Sequence, residues 1–341
     1  MRGYLLTNFI LLIKSIQKYS PEERQKRFLF FLVTLISMTV TYGTFIGGDL
    51  SFRLINGFIY SFSLMTILLS HEFGHFLQAK KYGVECTLPF FIPLPFISPF
   101  GTMGAFIRIK STPPTLKGLF DISFWGPAMS FSLSIPALFI GLYLSEVIPS
   151  EYEYSLFIAK ESPLIFGSSL LISMIENLLL DIPTGYAVVM HPMAYAGWVG
   201  IFVTAINLMP VGQLDGGHIA YAFLGKTQKY IAYLFLFLLI ILAFDVYAWL
   251  FWAFLLLFLG IRHPILKIPA PEKTKLNKTR LAFAIFAAFM FIVSFIPAPI
   301  TVVGVKEQKE NRKIPPEDFW KHNIKFENHE GRPVDGNRLF N

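Results

Sequence analysis

Ser70-His71-Glu72-Phe73-Gly74-His75 lies inside a long apolar run that extends from Leu54 to Phe76. His71 and His75 are four residues apart, so on a helix they share one face. That is the spacing at which two imidazoles can close on one zinc ion. Glu72 stands beside them, where a carboxylate can take a proton from a water molecule. With 7 His and 15 Glu in 341 residues, chance supplies roughly 0.006 matches to His-Glu-x-x-His. Ionisable residues in a hydrocarbon-facing run each cost roughly 2.5–3.5 kcal/mol on insertion scales, which marks the cluster as a functional site.

Composition sets the setting of that run. The chain is 54% hydrophobic and 15% charged, with 37 Phe, the balance of an all-α polytopic membrane protein. A net charge of +7 would suggest nucleic acid in a soluble protein. Here the basic residues gather between apolar runs, where they orient helices against an anionic membrane face, so no nucleic-acid partner is expected. Cys86 is the single cysteine, which excludes an intrachain disulfide and a cysteine-rich metal site.

The chain divides into three parts. Residues 1–27 carry six Lys/Arg and form a cytoplasmic amphipathic lead-in rather than a cleaved signal peptide. Residues 28–304 form the transmembrane domain, and residues 305–341 a polar tail with 8 Lys/Arg against 7 Asp/Glu, exposed and short of apolar residues. About seven spans are expected: 28–45, 54–80, 119–144, 192–209, 230–244, 246–261 and 281–296. Six basic residues between Arg262 and Arg280 place that segment inside. Leu164 to Leu180 is apolar but interrupted by Gly, Ser, Glu176 and Asn177. A crossing there would invert every later loop, so it is expected to dip into or lie on the outer face. Gly126-Pro127 predicts a kink in the third span.

Two further stretches break the helical pattern. Glu85 to Thr115 is rich in Pro and Phe and cannot be a regular helix. It reads either as an interfacial loop held by prolines or as a short strand or re-entrant hairpin around 101–110, whose free edge could pair with an extended substrate. The other stretch is Asn207-Leu-Met-Pro-Val-Gly-Gln-Leu-Asp215-Gly-Gly-His218. Irregular backbone at membrane depth is tolerated only where it is buried in protein or lines a wet cavity. Asp215 on such a break is the natural third ligand beside two histidines, leaving a fourth position open, as catalytic zinc requires. It could also cap the helix that follows, and the two roles are compatible. His218 reads as support or packing.

At these two stretches the chain resembles the site-2 protease family, the intramembrane zinc metalloproteases. His71-Glu72-Phe73-Gly74-His75 matches that family's His-Glu-x-x-His, and Asn207 to Gly216 its Asn-x-x-Pro-x-x-x-x-Asp-Gly. The Gly126-Pro127 helix resembles the family's third core helix, although Ser130 stands where the family often has Asn. The resemblance covers about 54–224. It implies a three-helix catalytic core and Zn2+ on His71, His75 and Asp215. It further implies Glu72 as the acid–base residue, Asn207 on the substrate backbone or oxyanion, and cleavage of single-span membrane proteins in the bilayer. The expected setting is a prokaryotic cell membrane, multi-pass, with the N-terminus cytoplasmic; the sequence carries no signal for oligomeric state. A zinc transporter and a non-proteolytic helix-binding relative are the rival readings. The first would show several ligand clusters along a path; the second would lack Glu72 or a ligand.

Overall fold

The computed structural model describes residues 19–46, 48–149, 164–260 and 276–302. Most of the lead-in, the middle of the 145–191 segment, the basic 261–275 segment and the polar tail lie outside the described residues.

Helix α1, Pro21–Phe45, starts seven residues before the span expected at Phe28. Its start follows local chemistry. Ser20 caps the helix by accepting from the Glu23 amide, Pro21 occupies the first turn, and Glu22 and Glu23 sit where the helix dipole favours acids. Pairs Glu22–Lys26 and Glu23–Arg27 then continue the polar turn into the apolar run. Helix α2, Leu50–Lys81, is capped by Asp49 and ends on Lys80 and Lys81. It carries His71, Glu72 and His75 on buried positions.

A β-hairpin follows within the Pro-rich stretch. Strand β1, Phe90–Pro93, pairs antiparallel with β2, Thr102–Phe106, in the register Phe90–Phe106 to Ile92–Gly104, with an irregularity at Ile92/Pro93. The pairing extends through a bridge between Cys86 and Ile109. Along α1, Arg27 and Phe30 meet Phe90 at the hairpin's base. Farther along, the Ser37 hydroxyl donates to the Gly101 carbonyl at 2.6 Å, and the Phe96 amide donates to Thr41 Oγ1 at 3.3 Å.

Helix α3, Leu116–Tyr143, is continuous through Pro127 and Pro136. Pro127 has no amide hydrogen to give the Ser123 carbonyl one turn earlier, yet the helix runs on without a break. Strand β3, Glu146–Pro149, pairs with β5, Tyr186–Val189. Strand β4, Leu164–Phe166, pairs with β6, Ile300–Val302. Between them the expected dipping segment forms helix α4, Leu170–Leu179. Its ten residues rise about 15 Å, half of a hydrocarbon core.

Helix α5, Pro192–Leu208, is buried along nearly its whole length. Next come α6, Asp215–Leu224, a 3₁₀ turn at Gly225–Thr227, and α7, Gln228–Leu242. The span expected to begin at Tyr230 is therefore the second half of a unit that begins at Asp215. The chain passes the polar Gly225-Lys226-Thr227 in one tight turn. Helices α8, Ala248–Leu259, and α9, Lys278–Ser294, complete the described chain.

The described residues are mostly helical and include four helical units long and apolar enough to cross a membrane: 21–45, 50–81, 116–143 and 215–242. Helices α5, α8 and α9, at 17, 12 and 17 residues, are shorter than the roughly 20 residues of an average span.

The centre of the bundle is α2, α3 and α5. Their backbones approach closely through small residues, the packing mode of helices in lipid. A Cβ on Gly74 would lie 2.3 Å from the Trp125 carbonyl oxygen, and one on Gly141 2.0 Å from the Ala194 nitrogen.

Candidate metal centre

The site is assembled from α2, α3 and the junction between α5 and α6. Both motif histidines present Nε2 to one point, 3.0 Å from each other. Asp215 Oδ2 lies 3.3 Å from each of them. All three side chains are buried or nearly so. A tetrahedral zinc with bonds of about 2.0–2.1 Å needs its donor atoms about 3.3 Å apart. The three observed edges therefore fit a metal ion, and two nitrogens with one carboxylate oxygen are a donor set that zinc accepts. Among the described residues this is the one group of three or more such side chains placed to hold a metal.

Each histidine is held from behind. The Nδ1 of His75 lies 2.7 Å from the Ile122 carbonyl on α3. A carbonyl can only accept, so Nδ1 carries the hydrogen and Nε2 keeps its lone pair for a ligand. The Nδ1 of His71 lies 3.1 Å from the Ser130 hydroxyl. The ring of His75 fills the space above Gly126, where a Cβ would meet three of its atoms at 2.2–2.8 Å.

Asp215 is positioned by an irregular turn. After α5 ends at Leu208, Pro210 and Gly212, the latter at φ +53°, carry the chain around. Leu214 takes the cap position of α6 without a side-chain cap bond, and Asp215 is the first helical residue. The capping role open to Asp215 is thus not taken, because its carboxylate faces the histidines. A Cβ on Gly216 would lie 2.0 Å from the Leu208 carbonyl oxygen, so only glycine lets the turn fold back this tightly. From α7, the buried Gln228 donates its Nε2 to the Pro210 carbonyl at 3.0 Å, pinning the turn.

Glu72 is buried on α2, one residue after His71, and Ile107, just past β2, lies nearby. The hairpin thus approaches the centre by its second strand. Asn207 lies in the last turn of α5, partly exposed. His218 sits on the first turn of α6 and is outside the group of three.

Sequence reasoning missed four supports: Ser130, Gly126, Ile122 and Gln228. Ser130 reads as a departure from a pattern, Gly126 as part of a kink. A signal for both was present. Gly126, Ser130 and Ser134 recur at helical spacing as a stripe of small residues, the mark of a face packed against another helix. No signal marks a backbone carbonyl such as that of Ile122.

Fold and site together define a polytopic helical membrane protein with a buried two-histidine, one-aspartate centre and a glutamate beside it. The sequence profile of Peptidase family M50 matches residues 59–243, more than half of the chain. The chain belongs to Peptidase family M50, the site-2 protease family. Among its relatives is a "probable zinc metalloprotease EGY1, chloroplastic" from Arabidopsis thaliana, 35% identical over 169 residues, covering 49% of this chain and 30% of the relative. The EGY1 of Oryza sativa subsp. japonica is 35% identical over 172 residues, 50% of this chain and 28% of the relative. The Arabidopsis "probable zinc metalloprotease EGY2, chloroplastic" is 30% identical over 241 residues, 70% and 41% respectively. The chain thus spans less than half the length of these relatives. No solved structure matches it.

Proposed function

We infer that this chain is an intramembrane zinc metalloprotease that hydrolyses peptide bonds within or next to the membrane segments of single-span proteins. The observation that carries the reading is the convergence of His71 Nε2, His75 Nε2 and Asp215 Oδ2 next to Glu72. Family membership and the printed names of the relatives support it. Of the rivals, a transporter would need several ligand groups along a path, and the described residues hold one. A non-proteolytic relative would lack Glu72 or a donor, and all four residues are present.

His71, His75 and Asp215 would hold the zinc. When bound, zinc supplies Lewis acidity that brings the pKa of a water molecule down toward about 7. Glu72 would accept a proton from the attacking water as the water oxygen adds to the scissile carbonyl, and pass it to the amine as the carbon–nitrogen bond breaks. Asn207 donates to the oxygen that gains negative charge.

A substrate helix hides its amides and must unwind to be cut. The hairpin suits the unwound segment: β1 lies toward α1, while β2 lies toward α2, leaving a strand edge near Glu72 to pair with extended backbone. A re-entrant placement of this hairpin is supported by its docking along α1 from Arg27 to Thr41, about 21 Å of helix.

We place the chain in a membrane with the N-terminus and Lys80-Lys81 on the cytoplasmic side, a lead-in over 1–27, the membrane domain over 28–304 and a polar tail beyond. A seven-span arrangement is supported by α5 and α9, whose 17 residues meet the lower limit for crossing. The relatives carry "chloroplastic" in their names, so the expectation of a prokaryotic cell membrane draws no support from them. The test is to purify the protein, measure bound zinc, and follow cleavage of a membrane-helix peptide. Stoichiometric zinc with cleavage that disappears in Glu72→Gln supports the reading; zinc without any cleavage refutes it.

A further inference from the structure

The structure assigns to Ser130 and Thr204 a positioning role: we propose that these two buried hydroxyls form a one-way hydrogen-bond relay that fixes His71 in its metal-binding tautomer and ties the three central helices around it. The proposal rests on the reading of His71 as a zinc ligand and names residues outside both sequence motifs.

The relay runs across three helices. His71 Nδ1 on α2 lies 3.1 Å from Ser130 Oγ on α3. Ser130 Oγ lies 3.0 Å from Thr204 Oγ1 on α5. Thr204 Oγ1 donates to the Gly200 carbonyl at 2.8 Å. Both hydroxyl residues are almost fully buried, at 2% and 0% exposure, shielded from bulk solvent.

Hydrogen counting gives the direction. A hydroxyl has one hydrogen and two lone pairs. Thr204 spends its hydrogen on Gly200, so the Ser130–Thr204 bond requires the hydrogen of Ser130. Ser130 also lies 3.1 Å from the Pro127 carbonyl, which can only accept. The relay takes the Ser130 hydrogen to Thr204 at 3.0 Å rather than to the Pro127 carbonyl at 3.1 Å, so lone pairs of Oγ face His71. Nδ1 of His71 must then be the donor, which leaves Nε2 bare toward Asp215 and His75. The opposite tautomer would set two lone pairs against each other at the Ser130–Thr204 contact or strip Thr204 from Gly200. His75 reaches the same end through the Ile122 carbonyl, so α3 sets both rings, one by backbone and one by side chain.

Close packing makes the relay rigid. A Cβ on Gly200 would lie 2.2 Å from Ser134 Oγ, and Ser134 donates to the Ser130 carbonyl at 2.8 Å. Helix α5, which carries Thr204, also leads into the turn that bears Asp215. One chain of hydrogen bonds therefore links a histidine to the helix that delivers the carboxylate.

The test is zinc affinity in the purified full chain, measured by chelator competition, with His71→Ala as reference. Ser130→Ala is expected to raise the zinc dissociation constant about 10–100-fold, and Thr204→Val to raise it by a smaller factor. Ser130→Thr, which keeps a hydroxyl, is expected to stay closer to the parent than Ser130→Ala. The discriminating result is non-additivity: the double variant Ser130→Ala/Thr204→Val binds zinc no more weakly than Ser130→Ala alone, because Thr204 acts only through Ser130. Parent affinity in Ser130→Ala, or effects that add in the double variant, overturn the relay. If Ser130→Ala does not fold, Thr204→Val with unchanged affinity overturns it as well. Full zinc binding by His71→Ala would instead refute the underlying ligand assignment.

Discussion

His75 and Gly126 occupy one space: the imidazole of the histidine lies where a glycine side chain would begin, 2.2 Å from the ideal Cβ position at its Nε2. The Nε2 atom in that contact is the one turned toward Asp215 and His71. Gly126→Ala must therefore push the ring away from the metal position or separate α2 from α3. Overpacking of this kind costs about 1–3 kcal/mol. The variant is expected to melt at lower temperature and to lose most of its zinc, read by metal analysis and a thermal scan. Parent zinc content at parent stability would show that the ring is not fixed where it is described.

Removing the carboxylate leaves two imidazoles. Zinc sites rarely persist on two protein ligands, so Asp215→Ala is expected to lose most bound metal. Undiminished one-to-one zinc in that variant would remove Asp215 from the ligand set.

Glu72→Gln keeps the size of the side chain. It cannot accept a proton. Zinc is expected to bind normally, while cleavage of a membrane-helix peptide slows by about 10²–10⁴-fold. A variant that cleaves at the parent rate rules Glu72 out as the base.

Orientation is open to labelling. The native Cys86 is buried, so it gives little background. Lys275→Cys, in the basic segment, is expected to react with an impermeant reagent only from the cytoplasmic side. Reaction from the outside would overturn the proposed seven-span topology.

The proposed topology also locates the cut. His75 lies five residues before Lys80, about 8 Å along the axis, so with Lys80-Lys81 at the cytoplasmic face the centre would sit below the membrane surface near that end. Cleavage is expected in the cytoplasmic half of a substrate's membrane segment, faster where Gly, Pro or Asn eases unwinding, since each backbone group exposed to lipid costs several kcal/mol. Mass spectrometry of products from a tagged single-span substrate locates the bond. Cuts in the outer half, or in a soluble loop clear of the membrane, contradict the placement.

The sequence by itself determined what depends on residue type and local spacing. His71 and His75 at helical separation, Glu72 between them, Asp215 on a Pro/Gly break and the apolar runs that form α1, α2 and α3 are all local facts, and a helix converts local spacing directly into a shared face. The N-terminal limit of α1 was also legible in Ser20-Pro21-Glu22-Glu23, although the apolar run alone pointed to Phe28. Tertiary structure decided the rest, because it brings together atoms with no common local pattern. The Ile122 carbonyl behind His75 is 47 residues away from it in the chain, and every residue has such a carbonyl. Ser130 and Thr204 are 74 residues apart and look like ordinary helix-interior hydroxyls until α3 and α5 close on each other. Only packing showed that Gly126 makes room for a ring, that Gln228 pins the turn of Asp215, and that the Pro-rich stretch folds into a hairpin whose second strand packs on α2. Ligand type is a property of a side chain; the direction in which its lone pair points is set by neighbours that only the fold supplies.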